Sequence, residues 1–116
     1  MRLGFAIFGA LALLAGVAQA GVMDTAYGNT VQIIDANGAS SSWYFDADGK
    51  VAAKLPDGSQ HGGTWTLEGA NLCTKLDIDS AAACRPAFKD GIAVGQTVNG
   101  VDQNGKAISI SVIQGR

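Results

Sequence analysis

Apolar and polar side chains alternate along most of this chain, in short runs that stop at turn dipeptides. Thr30 to Asp35 precedes Asn37-Gly38, Ser41 to Asp46 precedes Asp48-Gly49, Lys50 to Leu55 precedes Pro56-Asp57-Gly58, and Gly62 to Leu67 precedes Glu68-Gly69. Asn71 to Ile78 comes next, then a looser stretch to about Phe88, then Gln96 to Val101, Asn104-Gly105, and Lys106 to Ile113. A period of two belongs to a strand with one face on a core. Asn-Gly and Asp-Gly accept the positive φ of tight hairpin turns. The pattern predicts an all-β domain of seven or eight strands, joined as antiparallel neighbours in an up-and-down meander.

The alternation also selects the buried face. Val31, Ile33, Trp43, Phe45, Val51, Ala53, Leu55, Trp65, Leu67, Leu72, Leu76, Ile78, Ile108, Ile110 and Val112 share one side, and Gln32, Ser42, Asp46, Lys50, Lys54, Thr64, Thr66, Lys75, Asp77, Ser109 and Ser111 take the other. No stretch after residue 20 has the spacing of a useful amphipathic helix; Ser80-Ala81-Ala82-Ala83 has room for a single turn. A one-faced sheet without a covering helix buries that face by curling on itself, which also removes exposed strand edges. A barrel or half-barrel is therefore expected rather than a two-sheet sandwich, and Asp79 to Gly95 is the one place with room for a crossover.

The first twenty residues depart from this pattern. MRLGFAIFGALALLAGVAQA carries Arg2, an apolar run from about Leu3 to Val17, and Ala18-Gln19-Ala20 before Gly21. That is the layout of a secretory signal peptide cleaved after Ala20. Leu14-Ala15-Gly16 opens like a lipoprotein processing site, but Val17 stands where the acylated cysteine is required. The expected product is one soluble, monomeric periplasmic or secreted domain, residues 21–116, with no membrane span. Loss of Arg2 from the chain's 8 basic residues leaves seven against 10 acidic ones, and no basic run or arginine cluster occurs, so nucleic acid is not an expected partner.

Cys73 and Cys84 are the only cysteines, and an oxidising compartment lets them pair. A structural disulfide is expected. Two cysteines and one distant histidine are too few soft ligands for a metal site, so no metal or cofactor is expected. Asp46-Ala47-Asp48-Gly49 opens like a calcium loop, but position twelve counted from Asp46 is Asp57 instead of a bidentate Glu, and turn chemistry accounts for its aspartates. Gly62-Gly63 precedes no helix and is not a phosphate loop.

His61, the single histidine, shares inward parity with Gly63, Trp65 and Leu67 near one end of a strand. Ser59 lies close, but the sequence places no acid behind the ring, so a hydrolytic triad is discounted and catalytic residues are not expected. Trp43 and Trp65 are the largest inward groups. They fill the core or, beside small neighbours such as Ala53 and Gly63, line a cavity with His61 for a small apolar ligand. Ile34 and Tyr44 face outward on the first two strands and would form a patch for a protein partner.

Gly28-Asn29-Thr30, Trp43-Tyr44-Phe45 followed by Asp48-Gly49, and Gly63-x-Trp65-x-x-x-Gly69-x-x-Leu72-Cys73 with a second cysteine at 84 resemble a group of small exported proteobacterial β-proteins. The likeness covers most of residues 27–84 and implies an exported antiparallel β-domain with a disulfide, not an activity. The G-x-W element and single pair of cysteines also resemble bacterial metalloprotease inhibitors of the lipocalin-like barrel type. Here that element falls in mid-chain and the cysteines lie closer together, so an inhibitory N-terminal segment does not carry over. The sequence as a whole points to a non-enzymatic protein-interaction or cell-envelope accessory module. The alternatives are a carrier of a small apolar ligand, or a protease inhibitor.

Overall fold

The computed structural model describes residues 22–87 and 91–116; the predicted leader lies outside them. The described chain is all-β: β1 (Thr30–Ile34), β2 (Ser40–Phe45), β3 (Lys50–Lys54), β4 (Gln60–Glu68), β5 (Asn71–Leu76), β6 (Ala83–Pro86), β7 (Thr97–Val101) and β8 (Ala107–Ile113). Every strand pairing is antiparallel. The order across the sheet is β6-β5-β4-β3-β2-β1-β8-β7, so the last strand returns to the first and a nearly closed barrel results. Among the described residues no helix is long and apolar enough to cross a membrane.

The seam of the barrel falls between β6 and β7, the two strands that end the sheet. β6 is the shortest strand and ends on Pro86, which has no N–H to offer a further neighbour. This strand lies inside the stretch whose alternation was too loose to assign. The Cys73–Cys84 disulfide joins directly opposed residues of β5 and β6 and fastens the seam strand to the sheet. Side chains alternate across a strand, so a bond between Cys73 and Cys84 on the outer face puts their neighbours Leu72 and Arg85 on the inner one.

The turns β1–β2, β3–β4, β5–β6 and β7–β8 gather at one end, and the N-terminal segment plugs the other. Residues 22–24 make one helical turn, which buries Met23 and Ala26; Tyr27 then bridges Phe45, and the Thr25 hydroxyl donates to the Ile92 carbonyl. Phe45, 1 % exposed, lies at the centre of the core that Met23, Val31, Ile33, Val51, Ile92, Ile110 and Val112 share. Arg116 ties down the same end. Its guanidinium pairs with Asp46 at 2.9 Å, donates to the Phe45 carbonyl at 2.6 Å and lies 5.7 Å from the Tyr44 ring.

The predicted inner face is observed, with Ile78 the exception. β5 stops at Leu76 because the Asp79 carboxylate accepts the Leu76 N–H at 2.9 Å, turning the chain; Ile78 sits on that turn, 56 % exposed. Gly63 also differs from its expected role of leaving room inside. A Cβ there would come within 1.9 Å of the Lys75 carbonyl oxygen, so the absent side chain makes space for the β5 backbone, not for a ligand.

Candidate functional site

Of the three residues singled out as ligand contacts, Trp43, His61 and Trp65, only Trp43 lines the groove at the open end of the barrel. A groove of about 710 Å³ enters there, between the β3–β4, β5–β6 and β7–β8 turns. Trp43, Leu55, Thr74, Leu76 and Arg85 form its inner wall, and Asp79 and Asp102 stand on its rim. Trp65 belongs to the closed end. Its indole N–H donates to the Asp46 carbonyl at 2.8 Å, and its ring meets Phe45 edge-on at 6.0 Å and Tyr27 at 6.2 Å. Both tryptophans point inward, but Phe45 separates them.

His61 sits on the rim with its ring held at both nitrogens. Nδ1 is 2.8 Å from an Asp77 carboxylate oxygen, and Nε2 is 3.1 Å from the Ser59 hydroxyl. The fold thus supplies the acid behind the ring that the sequence did not show, because pairing β4 with β5 carries Asp77 back alongside His61. Ser59, His61 and Asp77 therefore line up in the order of a hydrolytic triad. The arrangement lacks two parts of one. The Ser59 hydroxyl has a single proton and lies 2.6 Å from Asp57, an acceptor only, so a lone pair and not the proton faces His61. The Gly58 and Ser59 backbone N–H groups, which would have to hold an oxyanion, are spent on the turn, at Leu55 O (2.8 Å) and Asp57 Oδ1 (2.9 Å). The cluster acts as a clasp on the β3–β4 and β5–β6 turns.

Arg85 is a further candidate site residue, which sequence reasoning missed. From β6 it reaches across the lumen to β2, four strands away in the sheet, and its guanidinium carbon lies 5.7 Å from the Trp43 ring centroid. The pair makes a bar across the barrel. On its outer side is the groove; on its inner side is an apolar cavity of about 70 Å³ walled by Met23, Val31, Ile33, Phe45, Ile110 and Val112, in which Arg85 is the only charged lining residue among the described residues. Among the described residues, its guanidinium makes no hydrogen bond and has no carboxylate within 4.0 Å. Burial holds its pKa below the usual arginine range, and Asp102 opposes that shift from a distance.

The two rim carboxylates do not neutralise it. Asp102 accepts the Asn104 and Lys106 backbone N–H groups at 2.8 and 2.9 Å, and these bonds, the Lys106 one foremost, hold its pKa low. Asp79 is occupied by the Leu76 N–H. Thr74, 6 % exposed, lies one inward step from Arg85 toward the groove, and its hydroxyl makes no hydrogen bond among the described residues. The signal for Arg85 was present in the cysteines. A cross-strand Cys73–Cys84 pair fixes the register that turns Arg85 inward.

The outward patch is not assembled. Tyr44 lies under Arg116 near the closed end, and Ile34 adjoins Ser40 at the open end of the same strand pair. No protein-family model, no curated protein and no solved structure matches this chain.

Proposed function

We propose that this protein is an exported, non-enzymatic carrier: a barrel that admits a small, largely apolar molecule through its open end and holds it against Trp43. The observation that carries this reading is the contrast between the two ends. One is plugged by Met23, Ala26 and Ile92, and the other opens into a groove whose volume of about 710 Å³ is in the range of small-molecule sites. Trp43, Leu55 and Leu76 offer that groove apolar surface. A carrier accounts for this better than a protein-docking module does, since Tyr44 and Ile34 form no continuous patch. The disulfide fits export, and the periplasm or the extracellular medium is the proposed compartment.

Tryptophan fluorescence tests the reading. In a Trp65→Phe variant the remaining indole reports on the groove alone, and short-chain apolar ligands should shift or quench its emission saturably. The reading fails if a panel of such ligands leaves the emission unchanged while the variant remains folded.

A further inference from the structure

We infer that the ligand is an amphipathic anion, a carboxylate with a short apolar body, whose head is held by Arg85 and whose body lies along Trp43, Leu55 and Leu76. The inference rests on the carrier reading and adds the chemical class of the cargo. Its starting point is electrostatic. A guanidinium taken into a barrel interior loses hydration, and a buried cation is retained without penalty only where a partner compensates it. Arg85 has the Trp43 face, which attracts a cation, but no bonded carboxylate among the described residues. Each acid on the groove rim has one oxygen bonded into its own turn, Asp79 Oδ2 and Asp102 Oδ1, and neither carboxylate lies within 4.0 Å of the guanidinium. No acceptor among the described residues takes up the N–H donors along the edge of the guanidinium. A carboxylate matches that edge in the two-pronged geometry that suits Arg.

The surroundings of Arg85 set the rest of the ligand. Thr74 adds one uncharged donor on the groove side of the bar, suited to the same head. The cavity behind the bar, about 70 Å³, is too small for more than a short alkyl stub, whereas the groove in front takes the whole body. Trp43, Leu55 and Leu76 give it an apolar wall and the solvated turns give it an exit. A wholly apolar ligand would leave the Arg85 donors unanswered, and a bare small anion would leave the apolar wall wet.

Calorimetric titration of the disulfide-bonded protein with octanoate, octanol and acetate separates the possibilities. Octanoate should bind at least tenfold more tightly than octanol, and acetate should bind more weakly than octanoate, because a charge-assisted hydrogen bond contributes about a tenfold factor or more. Arg85→Met should erase the preference for octanoate over octanol, while Asp102→Asn, which removes a rim carboxylate whose charge acts on Arg85, should strengthen octanoate binding severalfold. Circular dichroism and the intact disulfide establish that each variant is folded, and if Arg85→Met does not fold, the Asp102→Asn and octanol comparisons decide alone. Equal binding of octanoate and octanol by the natural protein overturns this inference and leaves the carrier reading standing. Octanoate binding that ignores both substitutions also overturns it. No binding of either ligand overturns both.

Discussion

Arg85 of β6 and Trp43 of β2 meet across the lumen at 5.7 Å, from strands on opposite sides of the barrel. The contact lies between a small apolar cavity and a larger groove, and among the described residues Arg85 is the one charged residue that lines both. A core assembled for stability alone would put an apolar side chain there. Keeping a half-buried guanidinium among Leu72, Phe45 and Trp43 is a local cost of the kind the proposed binding role would explain.

Arg85→Met should therefore stabilise the fold. Methionine matches the length of the apolar stem, packs against the Trp43 ring and removes the desolvated charge; replacing a poorly compensated interior charge by a packed apolar group is commonly neutral or favourable. Urea unfolding of the oxidised protein should give a gain of about 1 kcal/mol. A clear loss would mean that the guanidinium is compensated within the native fold.

Cys73→Ser with Cys84→Ser should act on both stability and binding. The bridge closes a sequence separation of 11, for which chain entropy gives about 3 kcal/mol. β6 is paired on one side only, so the bridge is also what keeps Arg85 in register with Leu72. The thermal midpoint should fall, and amide exchange in β6 should rise more than in β1 or β8. Uniform exchange across all strands would show that the bond has no special hold on the seam.

Strand positions were legible because each side chain of a half-buried strand meets one of two contrasting media, and Val31, Ile33, Val51, Ala53, Ile108, Ile110 and Val112 follow that rule without exception. The closing partnership of β1 with β8 was not, since it joins residues such as Val31 and Val112 that no turn brings together. The plug was hidden for a different reason: Met23 and Ala26 sit at helical spacing in a segment too short to register as periodic. Of the candidate site, Trp43 was legible as a large inward side chain. Arg85 was not, because pattern reading assigns a charged residue to the solvent face, and only the register fixed by the disulfide reverses that.

Gly63→Ala should be among the most disruptive single changes in the sheet. Its Cβ would lie 1.9 Å from the Lys75 carbonyl oxygen and 2.7 Å from the Leu76 Cα, and both are backbone atoms of a paired strand that cannot swing aside. Strand separation or loss of the β4–β5 register would follow, at about 2 kcal/mol or more. Gly62→Ala serves as the control, since the nearest atom to its added Cβ is 3.9 Å away. Equal midpoints for the two variants in thermal unfolding would contradict this account of why β4 carries a glycine facing inward.

The His61 clasp should respond to acid, not to substrate. The Ser59 hydroxyl, followed by the Ser59 N–H, holds the Asp57 carboxyl below the usual carboxylate range, so the folded turn favours the ionised form. A carboxyl depressed in the native state adds stability above its unfolded pKa, and that contribution disappears as pH falls through the lower folded value. Amide exchange at Ser59 should accelerate over that acidic interval while the barrel strands stay protected, and Asp57→Asn should remove the pH dependence. His61→Ala should shift stability by no more than about 1 kcal/mol, since its partner Asp77 is mostly solvent-exposed. Neither His61→Ala nor Ser59→Ala should change the rate at which an activated ester decays in the presence of the protein. A serine-dependent rate would show that the hydroxyl proton goes to His61 after all, and would convert the clasp into a catalytic group.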